Sequence, residues 1–253
     1  MKPYYQNELT TIYNGDCLEV MDYLIEQGIK FDAIITDPPY GTTACKWDNV
    51  IPFDKMWERL NKLRKDKTPV VLFGSEPFSS HLRMSNIKEF KYDWIWEKET
   101  NTNGMNANKT PLFNYEIISI FYKDAPLYNP QYTKGVPYTI RRNKQSEDSV
   151  YGKTGTKDNY LSVNNGRRYP KRIIYFNTER GLHPTQKPKE LIQYLLRTYT
   201  KENDLILDFT AGSFTTCIAS EQLNRRSIGI ELEQKYCDIG IKRLNSLQIK
   251  FDI

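Results

Sequence analysis

Asp37, Pro38, Pro39 and Tyr40 stand in a row directly after the apolar run Phe31-Asp32-Ala33-Ile34-Ile35-Thr36. The run reads as a buried strand. Pro38 and Pro39 have no N–H and fix φ, so the strand ends there, and Pro38 holds Asp37 extended. A carboxylate, a proline carbonyl and an aromatic ring are offered in close succession at the carboxyl end of a strand, the edge where open α/β sheets bind ligands. This suits the activation of an exocyclic amine on a nucleobase, whose lone pair is delocalised into the ring. The Asp37 carboxylate and the Pro38 carbonyl can hold its two N–H groups and turn the lone pair toward an electrophile, while Tyr40 stacks on the base. Alone, the tetrapeptide also describes a strand ending in a Pro-Pro turn with a surface tyrosine, so the rest of the chain decides.

A second constellation lies far downstream. Leu205-Ile206-Leu207-Asp208-Phe209 reads as a buried strand, and Thr210-Ala211-Gly212-Ser213-Phe214-Thr215-Thr216 turns it into a helix running to Leu223. A turn of small residues lets backbone N–H groups approach a ligand. Arg226 to Ile230 makes the next strand and ends at Glu231, nineteen residues after Gly212. At that spacing an acidic residue accepts bonds from ribose hydroxyls. A dinucleotide site has the same outline, but Gly212 lacks the companion glycines that such a site uses. Between the constellations, His183-Pro184-Thr185-Gln186-Lys187-Pro188 leads into a helix from Lys189 to Tyr199, with Pro188 suited to a helix start.

Taken together, these motifs resemble the amino-group DNA methyltransferases, whose hallmark is an Asp/Ser/Asn-Pro-Pro-Tyr tetrapeptide, and the resemblance covers nearly the whole chain. It implies S-adenosyl-L-methionine as methyl donor. The residues it places around that cofactor are Asp16, Asp37, His183, Thr185, Gln186, Lys187, Asp208, Phe209, Ala211, Gly212, Ser213, Phe214, Thr215 and Glu231. The hexapeptide is expected against the methionine end and Asp16 beside the adenine, although Asp16 also sits where a helix N-cap would. Asp37, Pro38, Pro39 and Tyr40 are the expected catalytic residues. The tetrapeptide precedes the cofactor turn, which implies the circularly permuted, β-type arrangement. The implied fold is α/β, Rossmann-like, a mainly parallel sheet with one antiparallel edge strand. Phe214 departs from the pattern, because relatives usually carry a second glycine there.

The implied reaction needs the base flipped out of a duplex and no covalent enzyme intermediate. A cytosine C5 enzyme needs a cysteine nucleophile, and the chain has no Pro-Cys dipeptide. Within the family, Asp-Pro-Pro-Tyr goes more often with adenine N6 and Ser-Pro-Pro-Tyr with cytosine N4, so adenine in double-stranded DNA is the expected substrate. N4-cytosine, RNA, and a non-catalytic DNA-binding protein that keeps the fold are the alternatives.

The elements that position these residues follow from periodicity. Thr10 to Tyr13 reads as a strand, Cys17 to Gln27 as a helix, Phe53 to Leu63 as an amphipathic helix, Pro69 to Gly74 as a strand, and Ser79 to Ser85 as a helix. Phe90 to Trp96 and Asn114 to Phe121 read as strands, with Lys98 to Pro111 as a loop between them. From 124 to 182 the periodicity fails. That stretch holds eleven Lys and Arg against five Asp and Glu, with seven tyrosines interleaved. Basic charge attracts phosphate, while aromatic rings and Arg forks stack on or read bases. The expected organisation is therefore a catalytic domain of 1–123 and 183–253 with an inserted basic target-recognition region at 124–182. The expected DNA-binding residues are Lys46, Trp47, Lys98, Arg141, Arg142, Arg167, Arg168, Lys171 and Arg172; for Trp47 ordinary loop packing is the competing reading.

The 253 residues carry 36 basic and 31 acidic side chains, a formal net charge of +5. The four cysteines, Cys17, Cys45, Cys217 and Cys237, form no CxxC pair, so no metal is expected. The opening residues show no apolar core of a signal peptide and no stretch is long enough to span a membrane, so a cytoplasmic, DNA-associated location is expected. A nuclease would be a separate protein, and the family resemblance leaves a homodimer open.

Overall fold

The structure, a computed structural model, describes residues 1–43, 45, 48–142 and 159–248. The chain divides into two compact units, Met1–Asn129 with Arg172–Ile253, and Pro130–Lys171. The expected insert, 124–182, is thus wider than the second unit, because the chain on both its flanks is tied into the first. Asn129 N–H donates to the Thr198 carbonyl at 2.8 Å, and Ile95 N–H donates to the Arg172 carbonyl at 2.8 Å.

Along the chain the first unit contains β1 (Tyr5–Gln6), β2 (Thr10–Asn14), α1 (Cys17–Glu26), β3 (Ala33–Thr36), α2 (Phe53–Leu63), β4 (Val70–Gly74), α3 (Phe78–Ser85), β5 (Phe90–Thr102) and β6 (Phe113–Phe121). The second unit holds β7 (Thr133–Lys134), β8 (Tyr138–Arg142), β9 (Tyr160–Asn164) and β10 (Arg167–Arg168). The first unit resumes with β11 (Ile173–Tyr175), α4 (Lys189–Tyr199), β12 (Leu205–Asp208), α5 (Thr215–Gln222), β13 (Arg226–Glu231) and α6 (Gln234–Gln248).

Nine strands form one sheet in the order β1-β2-β13-β12-β3-β4-β6-β5-β11. It is mostly parallel, as expected. The expected antiparallel edge strand is present as β1, and a second antiparallel strand, β6, runs against both β4 and β5 and lies between them, inside the sheet. The cause is the direct β5–β6 hairpin, which inserts the returning strand into the gap left by the β4–α3–β5 crossover. The short β1 is antiparallel to β2 at one edge.

Side chains alternate across a strand, and β3 shows why its sequence is apolar throughout. Ile34 packs with Met21, Leu24, Met56, Leu60 and Leu82 of α1, α2 and α3 on one face. Ala33 and Ile35 pack with Leu191, Leu195 and Leu196 of α4 on the other. A sheet covered on both sides demands strands buried on both sides. Pairing of Ile34 with Leu207 and with Val70 brings the carboxyl ends of β3, β4 and β12 to one edge, and the turns that follow β3 and β12 emerge there together.

Two expectations about elements change. β5 runs six residues past Trp96 to Thr102, so part of the expected loop is a strand hairpin closed by the Thr102–Phe113 pair. The second unit, in which no periodicity is visible, contains two antiparallel pairs, β8 with β9 and β7 with β10. Among the described residues no helix is long and apolar enough to cross a membrane.

Candidate active site

The turn after β3 and the turn after β12 are stitched together by hydroxyls. Thr36 Oγ1 donates to Asp208 Oδ1 at 2.6 Å and lies 2.8 Å from Thr210 Oγ1. Thr210 Oγ1 in turn donates to the Asp37 backbone carbonyl at 3.0 Å. The last residue of β3 therefore fixes the distance between the tetrapeptide and the turn that follows β12.

Both carboxylate oxygens of Asp37 are engaged. Tyr40 OH donates to Oδ1 and Lys187 Nζ donates to Oδ2. The Lys187 side chain is only 8% exposed, and its ammonium also lies 3.3 Å from Glu116 Oε2. Glu116 Oε1 accepts from Lys98 Nζ at 2.6 Å. The result is a half-buried row of alternating charge, Asp37, Lys187, Glu116 and Lys98. Burial would discharge such groups unless they were paired. For Asp37, burial raises the carboxyl above its ordinary value against the pull of Lys187. For Lys187, burial is outweighed by Asp37 and Glu116, which raise it and keep it charged. For Glu116, burial is outweighed by Lys187 and Lys98, which hold it below its ordinary value.

The Tyr40 ring packs against Phe78, centroid to centroid 5.0 Å. The loop beyond it is organised by one buried carboxylate. Asp48 accepts from the N–H groups of Gly41 at 2.9 Å, Thr42 at 2.9 Å and Thr43 at 2.6 Å. Burial raises Asp48, but those donors outweigh it and the carboxyl falls below its ordinary value.

On the β12 side, Gly212 adopts φ +51°, a left-handed conformation that glycine enters without steric penalty. Its N–H donates to Glu231 Oε2 at 2.8 Å, and Glu233 N–H donates to Oε1 at 2.8 Å. Burial pushes the Glu231 carboxyl up to about 7 and the Asp208 carboxyl up to about 6. His183 stands over Gly212, its ring 3.5 Å from where a Cβ on that glycine would be, and packs edge-on against Tyr236. Burial lowers His183 to about 4, so it is neutral, and Nδ1 accepts from Thr185 N–H at 3.3 Å. Gln186 Nε2 donates to Glu179 at 3.1 Å, whereas its Oε1 is buried without a hydrogen-bond partner. Asp16 caps α1, its Oδ1 accepting from Leu18 N–H at 2.8 Å and Glu19 N–H at 3.3 Å.

One cavity of ≈ 800 Å³ joins these groups. Every residue expected at the catalytic and cofactor positions lines it except Phe214. Of the two orientations open to a bulky Phe214, lining the pocket or pointing away from it, the ring takes the second. Its backbone is left-handed at φ 61°, but its ring is fully buried with Ile12, Cys217, Cys237 and Leu244 behind the turn. Space for it comes from two glycines. A Cβ at Gly229 would lie 2.7 Å from the ring, and one at Gly240 would also collide with it.

The expected DNA-binding residues divide. Lys98 is corrected: its ammonium is paired with Glu116 and sits 4.7 Å over the Trp96 ring, so it belongs to the buried ion row. Lys46 and Trp47 lie outside the described residues, as does the Arg142 side chain. In the second unit Arg141 and Lys171 are exposed. Arg167 stacks 3.9 Å over the Tyr132 ring. Arg168 is tied up locally, over Tyr138 and bonded to Asn164 and the Val136 carbonyl. Arg172, in the first unit, is 68% exposed and 3.8 Å from Asp93.

Thr36, Asp48, Glu116 and Thr210 were not legible as site residues from the sequence. Only Glu116 left a signal there, an acidic residue near the start of an apolar strand.

A family model described as DNA methylase, of N6/N4 methyltransferases, matches residues 31–242. The chain is 47% identical over 272 residues to the Type II methyltransferase M2.DpnII of Streptococcus pneumoniae, covering 97% of this chain and 93% of that protein. It is 29% identical over 255 residues to the DNA adenine methyltransferase YhdJ of Escherichia coli (strain K12), covering 94% and 84%. The crystal structure of an M1.HpyAVI–SAM complex is similar at a TM-score of 0.64 and 24% identity, covering 93% of this chain and 100% of that one.

Proposed function

The chain belongs to the N6/N4 DNA methylase family, and on that premise we propose that it transfers a methyl group from S-adenosyl-L-methionine to N6 of adenine in duplex DNA. The observation that carries this reading is that Asp37 and Pro38 line the same cavity as the Gly212–Glu231 turn. Asp at the head of the tetrapeptide supports adenine, as does the similarity to a DNA adenine methyltransferase.

The cavity suits the cofactor on two counts. Gln186 Oε1 is a buried acceptor in want of a donor, which the ammonium of an amino acid supplies. Glu231 is held rigidly at the end of β13 by two backbone N–H groups and keeps lone pairs for ribose hydroxyls. When bound, the cofactor supplies an electrophilic methyl on a sulfonium. The protein supplies position and charge. Asp37 and the Pro38 carbonyl accept the two amine hydrogens and turn the nitrogen lone pair toward the methyl, and Tyr40 bounds the base. As the nitrogen gains positive charge, Asp37 stabilises it and is placed to receive its proton. Burial, which raises the proton affinity of Asp37, favours that last step.

The basic insert is the natural target-recognition region, with Arg141, Arg167 and Lys171 in the second unit and Arg172 beside it in sequence. The catalytic strand β3 precedes the cofactor strand β12, which supports the permuted arrangement. Similarity to Type II methyltransferases supports a restriction-modification setting.

The test is mass spectrometry of nucleosides from duplex DNA incubated with the protein and S-adenosyl-L-methionine, beside Asp37→Ala. N6-methyladenine from the wild type and none from the variant is the expected result. N4-methylcytosine would overturn the base assignment. No modified nucleoside from diverse DNA would overturn the catalytic reading.

A further inference from the structure

We propose that Met105, at the tip of the β5–β6 hairpin, is a wedge that enters the base stack of duplex DNA and occupies the space vacated when the target base turns into the cavity. The proposal rests on the reading of that cavity as a nucleobase site.

A lone exposed apolar residue needs no explanation. Met105 is set apart by where it stands and by how it is held. The residue is fully exposed, at 102%, which forgoes the free energy that burying such a group returns. The loop that carries it is not slack. Thr102 Oγ1 donates to the Phe113 carbonyl at 2.9 Å and closes the hairpin. Above that closure, Asn103 Nδ2 donates to Thr110 Oγ1 at 3.0 Å and Asn106 Nδ2 donates to Asn103 Oδ1 at 2.7 Å. Asn103, at φ 67°, opens the single 3₁₀ turn Gly104–Asn106. A braced turn thus presents an unbranched apolar side chain to solvent.

The hairpin also has a direction. At its foot the Trp96–Glu116 pair joins the ion row to Lys187 and Asp37. Thr102 and Phe113 line the cavity, so the two strands form one of its walls. From Glu116 to Phe113 β6 takes three residue steps against the six of β5, whose pairing shifts register between Glu97 and Thr102, so at about 3.3 Å per residue the hairpin reaches roughly 10 Å beyond the foot before the tip begins. From Thr100 to Phe113 the chain has no acidic residue, one lysine (Lys109) and four asparagines. Such a surface can approach phosphates and offers amides that bond base edges. Apolar side chains, methionine among them, are the groups that wedge between unstacked bases. A thioether on a flexible stem fits an irregular gap.

The experiment uses the full chain, S-adenosyl-L-methionine and a duplex bearing a site mapped from the DNA the wild type methylates. A second duplex lacks the base opposite the target, so that the pair is already broken and a wedge has nothing to replace. Met105→Ala is expected to lower kcat/KM about tenfold or more on the intact duplex and less than about twofold on the second, in line with the few kcal/mol that unstacking costs. Met105→Leu, which keeps the bulk, is expected to restore most of the loss. Equal losses on the two duplexes, or no loss on either, would overturn the wedge while wild-type transfer continues. Absence of transfer by the wild type on any DNA would instead overturn the underlying reading, and the wedge with it.

Discussion

The Lys187 ammonium rests on the Asp37 carboxylate, although the two residues are 150 positions apart. The pair joins the tetrapeptide to the hexapeptide across the whole insert, and Glu116 stands behind it as a second counterion. The carboxylate proposed to accept the target amine already has a cation and a phenol on it. An arriving base competes for those bonds, and Glu116 gives the displaced ammonium somewhere to remain paired.

Replacing Lys187 with Met leaves two carboxyls, Asp37 and Glu116, facing one another without the cation between them. Loss of one partner from a buried pair costs about 3–5 kcal/mol, so the thermal midpoint falls. Both carboxyls also hold their protons more tightly. Methyl transfer by Lys187→Met is therefore expected to fall at neutral pH and to recover toward alkaline pH, as Asp37 ionises. A kcat/KM profile against pH checks this, and a profile of unchanged shape contradicts it.

Tyr40→Phe keeps the ring on Phe78 and removes only the hydroxyl that donates to Asp37. A hydrogen bond to a charged group is worth about 1.5–3 kcal/mol, so a loss of about tenfold or more in kcat is expected. Tyr40→Ala also removes the stacking surface, worth about 1–3 kcal/mol per base, and should be the worse of the two in both kcat and the KM for DNA. Steady-state kinetics of both variants separates hydroxyl from ring.

Asp48→Ala strips the acceptor from three backbone N–H groups in the loop after Tyr40. Water replaces part of the bonding, so about 2 kcal/mol of stability is lost. The KM for DNA is expected to rise more than the Kd for the cofactor, because the Gly212–Glu231 turn does not depend on this loop. Thermal unfolding and calorimetry of one preparation test both parts.

Asp208 at about 6 and Glu231 at about 7 hold protons more tightly when folded than an ordinary carboxyl does. Their contribution to stability is fully present below the ordinary carboxylate range, near pH 4. It is lost as pH rises through 6 and 7, at roughly 1.4 kcal/mol for each tenfold difference in proton affinity between the folded and unfolded chain. The ligand-free thermal midpoint should accordingly fall between pH 5 and 8. Ribose hydroxyls bond the ionised form of Glu231, so cofactor affinity should rise over the same interval and binding should release a proton. Calorimetry in buffers of different ionisation enthalpy measures that release; a pH-independent affinity contradicts it.

Motifs that act through consecutive residues were legible in the sequence, and groups that meet only in space were not. The tetrapeptide, the hexapeptide, the Gly212 turn and Glu231 all carry their geometry locally, in prolines, a small-residue turn and a fixed spacing. The strands of the sheet showed because burial on both faces makes them apolar from end to end. β5 beyond Trp96 did not show, because its pairing shifts register between Glu97 and Thr102 and none of Glu97 to Asn101 is buried, so no apolar alternation is imposed. The strands of the second unit are hidden for a related reason: Ile140, Leu161 and Val163 on β8 and β9 are exposed, so no buried face imprints a period of two. Lys98 read as a free cation because its partner, Glu116, comes from the neighbouring strand.

Phe214, Gly229 and Gly240 constrain the order in which this sequence can change. With the phenyl ring in place, an alanine at either glycine collides with it. With the ring removed, two bare backbones face a void large enough to weaken the packing of β13 and α6. Each single change is therefore opposed while the other two positions stay as they are. Sequences related to this chain are expected to keep all three residues or to have exchanged all three.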